Sequence, residues 1–137
     1  MADPKPPLTT GLTWAGDLRF AAAVEGPPLT VDGNSVAGPS PTKLVALGLL
    51  GCMSADVVDI VRKGRHPLTA FESAISAERA PSAPRRFLAF TIHFTVHGNV
   101  PAAAVERAIA LSHDKYCSVW HSLRQDITLK TTFDIVP

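Results

Sequence analysis

The sequence has few cysteines, little excess charge and no long uninterrupted apolar run, and each of these shortages excludes a class of protein. Its two cysteines, Cys52 and Cys117, are too few for a small fold built on disulfide bonds. Its formal net charge of +1, with both signs scattered along the chain, provides no basic stripe for nucleic acid. We therefore expect neither a disulfide scaffold nor a nucleic-acid-binding protein.

The sequence also has little that points to a membrane or to export. Its longest apolar run, residues 44–53, is much shorter than the roughly 20 residues that span a bilayer. The first residues, MADPKPPLTT, are polar and rich in proline, and they lack the apolar centre of a signal peptide. We predict a cytoplasmic protein without a membrane partner, in which a structural disulfide would not persist.

The chain has the length and composition of one folded domain. Its 137 residues suit a single domain over 1–137, and 46% hydrophobic with 18% charged residues is the balance of a folded protein. Residues 1–8 are expected to form a flexible tail.

The spacing of apolar residues predicts an α+β fold. Ser40 and Pro41 fit the N-cap and first position of a helix that continues to Lys63, where Gly64 supplies the stop. This helix would be about 34 Å long, and its first half is apolar nearly all round, as expected of a buried central helix. The other predicted elements are a hairpin turning at Gly16, strands over 29–31, 71–78, 88–97 and 127–135, and helices over 101–116 and in SVWHSLR. Short connections favour antiparallel sheets around the long helix.

Cys52 lies in the middle of the long predicted helix and has two interpretations. An unpaired cysteine on an apolar helix is often packing material. A reactive thiol would need help to ionise, because the helix N-terminus is about three turns away and Asp56, four residues on, would raise the thiol pKa. Activation would therefore require a cation or a hydrogen-bond donor from another element.

Cys117 lies at a junction between two predicted helices, where a new helix N-terminus can begin. Such a place suits a resolving thiol, which must approach a sulfenic acid formed elsewhere. A competing interpretation is a metal site, because His113, Cys117 and His121 would line one face of an unbroken helix and are ligand types that zinc accepts.

Two segments of the chain resemble a known family. GPSPTKLVALGLLGCMSADVVDIVRKGR around Cys52 and ERAIALSHDKYCSVWHSLR around Cys117 are similar to the OsmC/Ohr family of osmotically inducible and organic hydroperoxide resistance proteins, and specifically to its small OsmC-like branch. The likeness extends from Trp14 to the last predicted strand.

The resemblance implies a function and an assembly. Cys52 would be the peroxidatic thiol of a peroxidase for organic hydroperoxides, and Cys117 would form a disulfide with its sulfenic acid, which a dithiol reductant reopens. No cofactor or metal is implied. The implied fold is an intertwined homodimer, with the two long helices buried and the active sites at the subunit interface.

The chain departs from the family pattern at Lys43, where members typically have a glutamate that holds an arginine against the reactive cysteine. Arg19 is the only arginine before the long helix, and it is therefore the candidate for this activating role. The departure leaves open an alternative function, a non-catalytic OsmC-like dimer that binds a small apolar ligand at the subunit interface.

Overall fold

The computed structural model describes residues 3–137, and its elements follow the predicted order. They are β1 (Leu12–Trp14), β2 (Arg19–Ala22), β3 (Leu29–Asp32), α1 (Pro41–Lys63), β4 (Ala70–Arg79), β5 (Phe87–His97), α2 (Ala102–Leu111), a π-helical segment (Ser112–Tyr116), α3 (Ser118–His121) and β6 (Thr128–Val136). The α+β class is therefore confirmed. Residues 3–8 of the predicted tail have no regular secondary structure, and residues 1 and 2 lie outside the described part.

The chain divides into two compact units, one ending at Val45 and the other beginning at Ala46, so that the single domain over 1–137 stays a prediction. The first unit contains an antiparallel sheet with the strand order β1-β2-β3. Its first hairpin turns where the sequence predicts. Gly16 there has a φ of 98°, a conformation that favours glycine.

The second unit contains a sheet with the strand order β4-β5-β6, and one of its two pairings differs from the prediction. β4 and β5 are antiparallel, but β5 and β6 are parallel, with Phe94 opposite Phe133. The prediction of antiparallel sheets is therefore wrong for this pair. The reason is the connection, because the helical stretch 102–121 lies between β5 and β6 and returns the chain to the end at which β5 began.

α1 has the bounds that the sequence predicts. The Ser40 hydroxyl caps it by accepting the Lys43 N–H at 3.2 Å. Beyond Lys63 the left-handed residue is Arg65, with a φ of 61°, and not Gly64. At Gly64 a Cβ would lie 2.9 Å from the His66 ring, so a larger residue there would require the His66 side chain to move.

Within the described chain α1 is buried on one face, and burial of its other face by a second subunit stays a prediction. Its buried residues pack in one core with residues of β5 and α2, and the Ser54 hydroxyl lies 2.8 Å from the Ser73 hydroxyl of β4. The buried residues of α1 are Ala46, Leu49, Met53, Val57 and Val61. The opposite face includes Leu47, which is 45% exposed.

α1 is longer and more apolar than the run 44–53 alone indicates. Over an 18-residue window the mean hydropathy is 2.0, so the helix is long and apolar enough to cross a membrane by length and composition alone. The core helix of a folded protein can meet the same criterion. Leu49, Met53 and Val57 are fully buried in the core, as residues of such a helix are, and 28% of the window is buried within residues 3–137.

The predicted helix over 101–116 is interrupted. α2 ends at Leu111, and the next five residues form the π-helical segment, in which the Cys117 N–H donates to the Ser112 carbonyl at 2.8 Å. A π-helical turn inserts one residue into the helical repeat and shifts the side chains that follow it. The short third helix predicted in SVWHSLR is present as α3.

Candidate functional site

Cys52 lies at the border between the buried and exposed faces of α1. Its neighbour Met53 is fully buried in the core, whereas Gly51 on the other side is exposed. The thiol of Cys52 is partly accessible, and it is not oxidised to a disulfide. Such a position combines the rigid support of the core with access for a small molecule.

Cys117 occupies the predicted junction and is the N-cap residue of α3. Its side chain is fully buried, and its sulfur accepts the Trp120 N–H at 3.4 Å. Its own N–H is held by the π-helical segment. The second thiol is therefore fixed in place and shielded from solvent.

The structure brings the segment 117–119 against Cys52. The Cys52 sulfur lies 3.8 Å from the Ser118 hydroxyl oxygen, although 66 positions separate the two residues in the sequence. The thiols of Cys52 and Cys117 are close enough for each to shift the pKa of the other. Two cysteines far apart along the chain thus share one site.

The pKa of Cys52 lies below its ordinary value. Partial burial raises the pKa, but hydrogen-bond donors from another element together outweigh this effect. In decreasing order of effect, these donors are the Val119 N–H, the Cys117 thiol and the Ser118 hydroxyl. The prediction that activation requires a cation or a donor from another element is met here by donors, and Asp56 opposes it as predicted.

The pKa of Cys117 is shifted in the opposite direction. Burial, together with smaller effects of Cys52 and Asp56, raises the pKa of this thiol to about 11. The hydrogen bond from the Trp120 N–H opposes the shift but does not cancel it. The site therefore pairs a thiol whose pKa is lowered with one that keeps its proton at neutral pH.

A second contact ties α1 to the π-helical segment. The fully buried Ser112 hydroxyl donates to the Asp56 carboxylate at 2.8 Å, and the Ser112 carbonyl accepts the Cys117 N–H. Ser112 thus connects the turn of α1 after Cys52 to the second thiol. Sequence reasoning missed Ser112 and Ser118 as site residues. The only signal for Ser118 was its place directly after Cys117, in the first turn of a helix.

Arg19, the third predicted site residue, lies on β2 in the first unit. Its guanidinium is 3.7 Å from the Asp17 carboxylate. The N–H groups of Ala37, Asn34 and Val36 donate to the nearby Asp32 carboxylate and hold its pKa below its ordinary value, and the Arg19 charge lowers it further. A role for Arg19 beside Cys52 stays a prediction.

The residues of the alternative metal site are not brought together. The His121 Nε2 atom lies 3.0 Å from the His113 carbonyl oxygen, and His113 Nδ1 lies 2.7 Å from Asp114. His113 lies in the π-helical segment and Cys117 directly after it, so the i, i+4, i+8 line predicted for one straight helix does not form. Among residues 3–137, no group of three suitable side chains is placed to hold a metal ion.

A pocket of about 590 Å³ lies between the second half of α1, α2 and the end of the π-helical segment, and neither cysteine is among its lining residues. Asp56 contributes to its wall, as does Tyr116, the residue before Cys117. Its other lining residues are Asp59, Ile60, Lys63, Gly64, Arg107 and Leu111. The wall mixes apolar side chains with charges of both signs, and the Lys63 ammonium is already paired with Asp59 at 2.8 Å.

The second unit is therefore an α+β structure in which a long helix and a helical junction place two thiols together. The pKa of one thiol is lowered and that of the other is raised. The model of the OsmC-like protein family matches residues 32–132 of the chain. Protein YhfA of Escherichia coli (strain K12) is 37% identical to it over 128 residues, which cover 92% of each chain. The chain belongs to the OsmC-like family, as its sequence predicts.

Solved structures show the same fold. A hypothetical protein from Aquifex aeolicus VF5 superimposes with a TM-score of 0.88 at 22% identity, covering 96% of this chain and 97% of that one. The organic hydroperoxide resistance protein OsmC from Legionella pneumophila superimposes with a TM-score of 0.66 at 15% identity, covering 97% and 100%. The α+β architecture is therefore that of OsmC-like proteins.

Proposed function

We propose that the protein is a thiol-dependent peroxidase that reduces organic hydroperoxides. The observation that carries this proposal is the pair of free thiols, with a partly accessible Cys52 whose pKa is lowered and a buried Cys117 whose pKa is raised. A structural neighbour named as an organic hydroperoxide resistance protein supports the substrate class. A cytoplasmic location is part of the proposal, because a reducing compartment keeps both thiols free.

The proposed reaction begins at Cys52. Its thiolate attacks the outer oxygen of ROOH, the O–O bond breaks, and the alcohol ROH leaves after taking up one proton. Cys52 is then a sulfenic acid. Because Cys117 remains protonated, it does not compete for the peroxide, and peroxide attack is directed to one sulfur.

Cys117 acts in the second step of the proposed cycle. Its sulfur attacks the Cys52 sulfenic acid, a disulfide forms, and the hydroxyl group leaves as water together with the Cys117 proton. A dithiol reductant then donates two electrons and two protons, which restores both thiols and leaves the reductant as a disulfide. Segment 117–119 already lies against Cys52, so this step needs only a local movement.

Treatment with one equivalent of cumene hydroperoxide tests the proposal. We expect stoichiometric formation of the alcohol, loss of both free thiols, and a product two hydrogen atoms lighter than the reduced chain. Peptide mapping should find residue 52 joined to residue 117, and dithiothreitol should reverse the change. Both thiols unmodified at equimolar peroxide would refute a peroxidase function and favour the alternative, a non-catalytic dimer with an apolar ligand.

We also propose that two copies of the chain associate through the exposed face of α1. Val45 and Leu47 on this helix are 39% and 45% exposed, and only 28% of its most apolar 18-residue window is buried. Gly48, Gly51 and Ala55 form a stripe of small residues on the same helix that would let a second α1 approach closely. An apolar helix surface of this kind is typical of an oligomer interface.

The variant Gly51→Leu tests this association. A Cβ at Gly51 meets no atom of residues 3–137 within 4 Å, so the larger side chain should not disturb the isolated chain. In a helix-to-helix interface it would hold the helices apart, and we expect the dimer to dissociate. Light scattering after gel filtration measures the mass, and Ala103→Leu on the exposed face of α2 is the control. Dimers of equal stability in both variants would exclude this face.

A further inference from the structure

The hydroxyl of Ser118 contacts the sulfur that the proposed reaction uses. The distance from Ser118 Oγ to Cys52 Sγ is 3.8 Å, within the range for a hydrogen bond to sulfur. Ser118 is the first residue of α3, directly after the cap residue Cys117, whose sulfur holds the Trp120 N–H. The backbone that carries the hydroxyl therefore belongs to a capped helical turn.

We propose that Ser118 is a catalytic residue. Its neutral hydroxyl donates a hydrogen bond to the Cys52 thiolate and provides part of the stabilisation that a cation would otherwise provide. The catalytic role rests on the proposed peroxidase function, whereas the hydrogen bond to the thiolate does not. No atom is transferred to or from Ser118.

The hydroxyl suits this role because it can exchange donor for acceptor. While Cys52 is protonated, its S–H group can donate to the Ser118 oxygen, and after ionisation the hydroxyl turns and donates to the sulfur. A hydrogen bond made to the charged form favours that form. The contact therefore stabilises the thiolate without requiring another charge in the site.

The charge beside Cys52 on α1 opposes its ionisation, so hydrogen-bond donors have to offset it. Asp56, one turn further along α1, disfavours the thiolate, and the other titratable group of residues 3–137 that acts on it is the protonated Cys117. Donors from residues 117–119 lower the pKa of Cys52 in spite of Asp56 and of partial burial.

The test measures the Cys52 pKa from the pH dependence of alkylation by iodoacetamide, with the modified cysteine identified by mass spectrometry. Ser118→Ala should raise this pKa by about half a unit or more, which reduces the thiolate fraction at neutral pH about threefold. Ser118→Thr keeps the hydroxyl and should restore the lower value. Ser122→Ala is the matched control, because that hydroxyl bonds the Ser118 carbonyl at 2.7 Å and supports α3 without touching the sulfur.

The salt dependence of the Cys52 pKa distinguishes a neutral hydrogen-bond donor from a cation. The interaction of Ser118 with Cys52 should persist at about 1 M salt, where the Debye length is near 3 Å and ion pairs at partly exposed sites are screened. An unchanged Cys52 pKa in Ser118→Ala would overturn the proposal. So would a pKa that rises with salt and in Arg19→Ala but not in Ser118→Ala, because a cation would then hold the thiolate.

The same variants distinguish this inference from the proposed function. If Ser118→Ala raises the pKa but the wild-type protein does not reduce cumene hydroperoxide, the hydrogen bond stands and the peroxidase function fails. If the wild-type protein is a peroxidase, Ser118→Ala should lower the second-order rate with peroxide at pH 7 by about the same threefold, and Ser118→Thr should recover it. An unchanged rate would contradict the catalytic role.

Discussion

Replacing Cys52 with serine should abolish hydroperoxide reduction, with a loss on the order of a hundredfold or more, because the nucleophile is then a hydroxyl that does not ionise near neutral pH. The substitution replaces one atom, sulfur by oxygen, and the side chain is partly exposed at the edge of the core. The folded state should therefore be retained. The measurement is peroxide consumption with dithiothreitol as reductant, accompanied by circular dichroism and thermal unfolding.

Cys117→Ser is the matched control, because it removes the other sulfur and leaves a hydroxyl that can still donate to the Cys52 thiolate. We expect the first equivalent of peroxide to react at nearly the wild-type rate. The product should be one oxygen atom heavier, a sulfenic acid at Cys52, and no internal disulfide should form. Equal losses in the two variants would contradict the assignment of Cys52 to attack and of Cys117 to resolution.

The long helix is the element that the sequence predicts best, because local chemistry determines where it begins and ends. Ser40 caps the helix through its own side chain, and Pro41 fits the first turn without needing a backbone partner. The stop depends on short-range geometry in the same way. Even so, the left-handed residue is Arg65 and not the glycine before it, which the sequence pattern did not indicate.

Features that depend on distant parts of the chain were not predictable from local patterns. The direction of β6 is set by the helical stretch that precedes it, whereas alternation of apolar residues indicates a strand and not its direction. The π-helical segment begins at Ser112, whose hydroxyl donates to Asp56 across 56 positions of the sequence. Helical periodicity does not reveal an insertion of this kind.

In the candidate site, too, local features were predictable from the sequence and contacts between distant residues were not. Each cysteine could be placed correctly in its local element, and the need for a donor from outside α1 followed from the position of Cys52 deep in the helix. The identity of the donors could not be predicted, because the contact between Cys52 and Ser118 is created by tertiary packing. A short polar side chain after a cysteine carries no pattern that marks it.

The site should depend on the core beneath it, and Met53 is the residue that tests this dependence. Met53 is fully buried next to Cys52 and packs in the core with residues of α1, α2 and β5. Met53→Ala should lower the free energy of unfolding by about 2–5 kcal/mol, since the removed atoms leave a cavity. Met53→Leu nearly preserves the volume and should lower it by less than about 1.5 kcal/mol.

Urea unfolding followed by tryptophan fluorescence and circular dichroism measures both changes. In Met53→Ala, alkylation of Cys117 by iodoacetamide should also become faster, because that thiol is buried and reacts only when the packing around it opens. When opening and closing are fast compared with alkylation, the logarithm of the alkylation rate should increase in proportion to the loss of stability if Cys117 is exposed only by global unfolding. The rate should increase less if Cys117 is exposed by opening of the junction at 117–119 alone. Faster alkylation without loss of stability would show that Met53 holds the junction closed and contributes little to the core, contrary to its burial.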